Sequence, residues 1–181
     1  MSVGASILEI LKYTVPAIVV LICSAIIVGK FLTGEFKRKQ LAVFQEGQEI
    51  SLRLRLQAYE RLALFIERAH PRSLIPRVYV PGMTVRDLQT AAVTAIRTEF
   101  EHNLSQQIYV SSNVWNTIVT AKEQEIAMIN QIAQTLNAED DAKELNARII
   151  NYLVSQEEDT PAEIALEVIN NEAKLVMYQQ G

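Results

Sequence analysis

Two Glu-x-x-His pairs, Glu67-Arg-Ala-His70 and Glu99-Phe-Glu-His102, have the spacing in this chain that could do chemistry. On a helix that spacing brings a carboxylate and an imidazole to one face. Two such pairs with two further carboxylates make the ligand set of a di-iron site inside a helical bundle. The sequence itself argues against this use. His70 directly precedes Pro71, and a residue before proline is pushed out of helical geometry. Glu99 and His102 fall at the margin of their helix's apolar stripe, where solvated or hydrogen-bonding side chains belong. A metal-dependent bundle enzyme built on Glu67, His70, Glu99 and His102 is therefore the second reading. The first expects no catalytic residue, no metal and no cofactor.

Other reactive patterns are missing from the sequence. It has no glycine-rich phosphate loop, no paired-cysteine metal motif and no nucleophile elbow. With two histidines in all, a hydrolytic triad has few places to form. Trp115 occupies a core-like helical position and reads as packing. The polar run Asn103, Ser105, Gln106 and Gln107 fits either a helix end or a polar contact surface, and Glu157, Glu158 and Asp159 fit a solvated linker. Nothing points to a nucleic acid or a small-molecule substrate.

The element around which the rest is organised is Tyr13 to Leu32, YTVPAIVVLICSAIIVGKFL, with Lys30 its one charge. A bilayer core of about 30 Å needs about twenty helical residues. A cleaved signal peptide would have a shorter apolar core and a small-residue cleavage site, neither present here. A lipoprotein would need Cys23 behind a small residue, but Ile22 precedes it and the apolar run continues to Val28. A soluble core helix would show polar relief on one face. Pro16 is expected in the first turns, where its missing donor costs little.

Flanking charge sets the orientation. Lys12 precedes the span, whereas Lys30, Lys37, Arg38 and Lys39 close it, so the positive-inside rule puts the amino terminus outside and the long carboxy-terminal part in the cytoplasm. Those four cations are the expected membrane-surface residues, each of the Lys37–Lys39 cluster contributing about 1 kcal/mol of attraction to an anionic leaflet. Residues 1–80 carry 11 Lys or Arg against 6 acids, and residues 81–181 carry 6 against 15. That asymmetry fits ordinary solvated faces, or a basic half at the lipid and an acidic half held from it. The single cysteine excludes an intrachain disulfide.

Few Gly and Pro, with abundant Leu, Ile, Ala, Glu and Gln, predict an all-α chain: one amino-terminal transmembrane helix followed by an antiparallel helical bundle with a long first helix. The expected divisions are a lead-in (1–12), the span (13–32), a membrane-proximal amphipathic helix (33–69), a proline-rich connector (70–84) and a helical domain (85–181). Thr33 and Gly34 could loosen the helix as it leaves the bilayer. Leu52, Leu56, Tyr59, Ala63 and Ile66 recur at four-three spacing, a coiled-coil-like stripe suited to self-association. Ile50 to Leu56 alternates as a strand would, but its flanks are helical, so helix is expected. Pro71, Pro76, Pro81 and Gly82 argue that no ordinary helix forms over 70–84, with Arg77 to Val80 extended; the connector is either a partner-binding loop or a plain turn.

Beyond it, Thr84 with Asp87 predicts a helix start, and that helix carries Leu88, Ala92, Ile96, Phe100 and Leu104 inward. Ser111 or Ser112 caps a helix bearing Trp115, Val119, Ile126, Ile129, Ala133 and Leu136, and Asp141 starts one bearing Leu145, Ile149 and Leu153. Thr160, Pro161 and Glu163 make the clearest cap, ahead of Ile164, Val168 and Leu175.

Two stretches carry a resemblance. RLQAYERLALFIERAHPRSLIPRV (Arg55 to Val78) and EFEHNLSQQIYVS (Glu99 to Ser111) resemble a group of small bacterial proteins with one amino-terminal membrane helix, a cytoplasmic helical domain and no established function. The resemblance implies a single-pass protein of the bacterial inner membrane and supplies no catalytic residues. The expected role is a non-enzymatic interaction or scaffold protein, or an accessory subunit of an inner-membrane complex, whose partners are the lipid bilayer and a protein partner or further copies of itself.

Overall fold

A computed structural model describes residues 3–156 and 158–178. All elements among them are helical: α1 (Val3–Ala69), α2 (Pro71–Val78), α3 (Val85–His102), α4 (Ser112–Gln134), α5 (Ala142–Ser155) and α6 (Pro161–Tyr178), with a 3-10 segment at Leu104–Ile108. The chain divides into two compact units, 1–50 and 51–181.

The first unit is helix throughout its described residues. α1 begins at Val3, ten residues before the expected span, so Pro16 lies inside the helix and not in its first turns. It withdraws one hydrogen bond from Lys12 O. Nor does α1 loosen at Thr33 and Gly34: it continues through them, and Thr33 Oγ1 donates back to Gly29 O at 2.8 Å. The helix is long and apolar enough to cross a membrane, and nothing in its apolar window is buried.

The second unit holds the core. Ile50 to Leu56 is helical, in keeping with its flanks. Near its end α1 buries Tyr59, Leu62, Phe65, Ile66 and Ala69, a face wider than the expected stripe; Leu52, Leu56 and Ala63 pack against it from its edges. Of the expected stripe, Tyr59 and Ile66 are thus in the core and Leu52, Leu56 and Ala63 are half-buried against it.

The 70–84 connector is the main departure from expectation. α2 forms across Pro71 and Pro76 because Pro71 occupies the first helical position, where no donor is needed, and Pro76 comes late in an eight-residue helix, costing one bond. His70 is its N-cap, at φ −59° and ψ 132°, and Leu74 and Ile75 are buried. Arg77 and Val78 are helical, and the extended backbone begins at Tyr79. Pro81 and Gly82 then turn the chain, with Gly82 at φ +92° and Met83 N donating to Val80 O.

Local caps start the remaining helices. Thr84 and Asp87 form a reciprocal capping box, with Asp87 N donating to Thr84 Oγ1 (3.2 Å) and Thr84 N to Asp87 Oδ2 (3.1 Å). Asp141 Oδ1 accepts from Lys143 N at 2.8 Å. An isolated antiparallel bridge joins Thr84 to Asp141, so α3 and α5 begin side by side. Thr160 and Glu163 repeat the box on α6. That helix buries Ala162, Ala165, Ile169 and Val176, whereas Ile164 and Leu175 are exposed and Val168 is half-buried. Its inward face is the one with alanines, which permit close approach to α4, its main neighbour. On α4 the buried set is Val114, Ile118, Ala121, Glu125, Ile126, Ile129 and Ala133, leaving Trp115 and Val119 at the edge. Leu104 falls beyond α3 and is exposed.

Candidate functional site

The two Glu-x-x-His pairs are put to structural uses. His70 Nδ1 accepts from Arg72 N at 3.3 Å as the cap of α2, and burial followed by the nearby Arg72 charge holds its pKa below the usual histidine value. Glu67, His70 and Glu163 border one shallow cavity. Glu99 instead pairs with Arg68, Oε1 to Nε 3.4 Å. His102 Nδ1 lies 2.7 Å from Thr98 O, a contact in which the ring nitrogen donates. Among the described residues no three His, Cys, Asp or Glu side chains gather closely enough to hold a metal ion, so the four do not assemble into a ligand set.

Lys30, Lys37, Arg38 and Lys39 are all exposed on α1. Consecutive residues step about 100° around a helix, so Lys37 to Lys39 fan around it within one turn. Glu35 Oε1 lies 3.6 Å from Arg38 Nη1 and tempers that charge. Asn103 caps the end of α3 and donates to Glu99 O at 2.8 Å, and Gln106 is buried, whereas Ser105 and Gln107 are exposed. Glu158 and Asp159 are exposed; Glu157 lies outside the described residues.

Two carboxylates that sequence reading passed over are the least ordinary groups in the second unit. Glu172 on α6 accepts from Tyr59 Oη (2.6 Å), from Ser111 N (3.0 Å) and from Ser111 Oγ. Burial alone would raise its pKa, but these donors more than offset that and hold it below the ordinary range. Burial and the hydrogen bond to Glu172 raise that of Tyr59. Ser111 is also the N-cap of α4, so one carboxylate ties α1 and α6 to the start of α4.

Glu125 is the opposite case. It is 5% exposed, Oε2 has no hydrogen-bond partner among the described residues, and burial pushes its pKa up to about 7. It lines a cavity of about 270 Å³ with Met128, Tyr152, Leu153, Asp159 and Pro161. The signal that could have found both was positional. Glu125 follows Ile118 by seven residues and precedes Ile129 by four, and Glu172 stands between Ile169 and Val176: acids at core spacing.

Fold and site together define an all-helical protein with a long amino-terminal helix and, among the described residues, no cluster of side chains able to hold a metal ion. The chain belongs to a family of unknown function (DUF7935), whose model matches residues 5–176. No curated protein and no solved structure matches it.

Proposed function

We propose that the protein is a single-pass, membrane-anchored interaction protein of the bacterial inner membrane, with its amino terminus outside and its helical domain, an antiparallel bundle, in the cytoplasm. Support for the anchor comes from Ile18, Ile22, Ile26 and their neighbours, exposed on a helix too apolar to stand in water. The basic residues after the span support the orientation.

The observation that carries the interaction role lies just past the span. Phe36, Val43 and Ile50 are each more than half exposed and recur every seven residues, with Gln40 and Gly47 between them at four-three spacing. The same seven-residue register runs back through Gly29 and Ile22. No position of this seam is charged, although Lys37, Lys39, Glu46 and Glu49 flank it. Two copies inserted in the same direction would bring identical seams together in register, the arrangement a parallel coiled coil needs. Gly29 and Thr33, four residues apart at the end of the span, allow close approach there.

Crosslinking in native membranes, followed by mild-detergent purification and mass spectrometry, tests the role. Crosslinks from residues 33–50 to a second copy or to one reproducible membrane partner are expected. A chain released by alkaline carbonate, with no crosslinked protein, would overturn the proposal.

A further inference from the structure

The cavity beside Glu125 has the features of a small binding site. Glu125 and Leu153 line it and are buried, whereas Gln124, Gln131 and Tyr152, which also line it, are exposed. One wall is apolar, through Met128, Leu153 and Pro161. Among the described residues the other titratable groups lining it are Asp159 and Tyr152, and no Lys, Arg or His lines it.

Glu125 is buried with Oε2 unpartnered among the described residues, so its carboxyl has unmet demand for a hydrogen-bond donor, and the two acids lining the cavity favour a positive one. Anions are repelled. A hard divalent cation needs six or more oxygen ligands, and among the described residues no three His, Cys, Asp or Glu side chains gather here to hold one. A neutral apolar molecule would leave the oxygen unpartnered.

We propose that this cavity binds a small organic cation: a primary ammonium that donates to the Glu125 carboxyl, carried on a short apolar chain that lies against Met128 and Leu153. The carboxyl titrates near pH 7, so an ammonium entering at pH 6 meets a largely protonated acid and expels its proton. The same chemistry is offered by a free alkylamine and by a lysine side chain.

Isothermal titration of the full chain in mild-detergent micelles tests this with n-pentylamine, 1-pentanol and Nα-acetyl-lysine methylamide as probes. Pentylamine should bind at least tenfold more tightly than the isosteric alcohol, with proton release at pH 6 visible as a buffer-dependent heat. Glu125→Gln, checked for retained helicity, should remove that preference. Equal binding of amine and alcohol, no binding at tens of millimolar, or an unchanged preference in Glu125→Gln would overturn it. The amine–alcohol comparison needs no variant. The lysine derivative separates the sources: affinity equal to pentylamine identifies a side chain, and a tenfold weaker one a free amine, both with the ammonium at Glu125.

Discussion

Tyr59 Oη donates to Glu172 Oε1 at 2.6 Å, linking residues that are 113 positions apart in sequence. Tyr59 is otherwise buried in the core, and Arg55 Nη2 donates to the same phenol oxygen at 3.3 Å. A buried ring that ends on a carboxylate joins hydrophobic burial to a directional bond. Removing only the hydroxyl separates the two.

Tyr59→Phe keeps the ring and deletes the donor. A hydrogen bond to a charged acceptor contributes about 2 kcal/mol, and that loss is expected in urea unfolding of the full chain in micelles. The acid limb should change as well. Glu172 titrates below its ordinary value when folded, so its stabilisation is present above pH 4.5 and lost as pH falls through the folded pKa. In Tyr59→Phe that acid-induced loss should shrink. An unchanged acid limb would show that the bond does not set the Glu172 pKa.

Ser111→Ala removes two interactions at once, the cap on Val114 N (3.2 Å) and the hydroxyl bond to Glu172. The expected cost is about 2 kcal/mol. Because Glu172→Gln weakens the same network, the double variant should lose less than the sum of the two singles. Strict additivity in the unfolding free energies would mean that the residues act independently.

Stability should decline as pH rises towards neutrality, because of Glu125. Its folded pKa, about 7, lies above the unfolded value of 4.5, so its contribution is fully present below pH 4.5 and lost as pH rises through 7. The full span corresponds to about 3 kcal/mol, most of it lost between pH 4.5 and 7, with stability nearly flat above pH 8. Glu125→Gln should flatten the unfolding midpoint over that range, and a midpoint that still falls would assign the slope to another group.

Phe100 sits between Phe65 and Trp115, with ring centroids 5.7 and 5.4 Å away, and Lys122 Nζ lies 4.2 Å from its ring centre. Phe100 is half-buried, so Phe100→Ala should cost about 2 kcal/mol, below the range for fully buried rings. It should also red-shift the emission of Trp115, the chain's single tryptophan, as water reaches the indole. Emission that does not move would place Trp115's environment outside the control of Phe100.

Legibility from sequence followed the range of the interaction. Thr84 with Asp87, Ser111, Asp141, and Thr160 with Glu163 were readable because a cap is made by residues within one turn of each other. The Pro71–Val78 helix was not, because counting prolines ignores their positions, and Pro71 at the first helical residue costs nothing. On α6 the bulky Ile164 and Leu175 are exposed, and the buried face is the one bearing Ala162, Ala165, Ile169 and Val176, which size alone does not single out. Glu125 and Glu172 were passed over for a similar reason. An acid at core spacing reads as an interruption of the stripe until its surroundings show one satisfied by three donors and the other by none. The Glu-x-x-His pairs had the reverse fate, since their local spacing was right but Arg68 and Arg72 engage Glu99 and His70 instead of a shared metal.

The most direct test of the account is a cysteine scan of residues 36–50 in a Cys23→Ser background, oxidised in intact membranes. Disulfide-linked dimers should peak at Phe36→Cys, Val43→Cys and Ile50→Cys and be weak at Lys39→Cys and Glu46→Cys. A pattern without seven-residue periodicity, or no dimers at any position, would contradict self-association through α1.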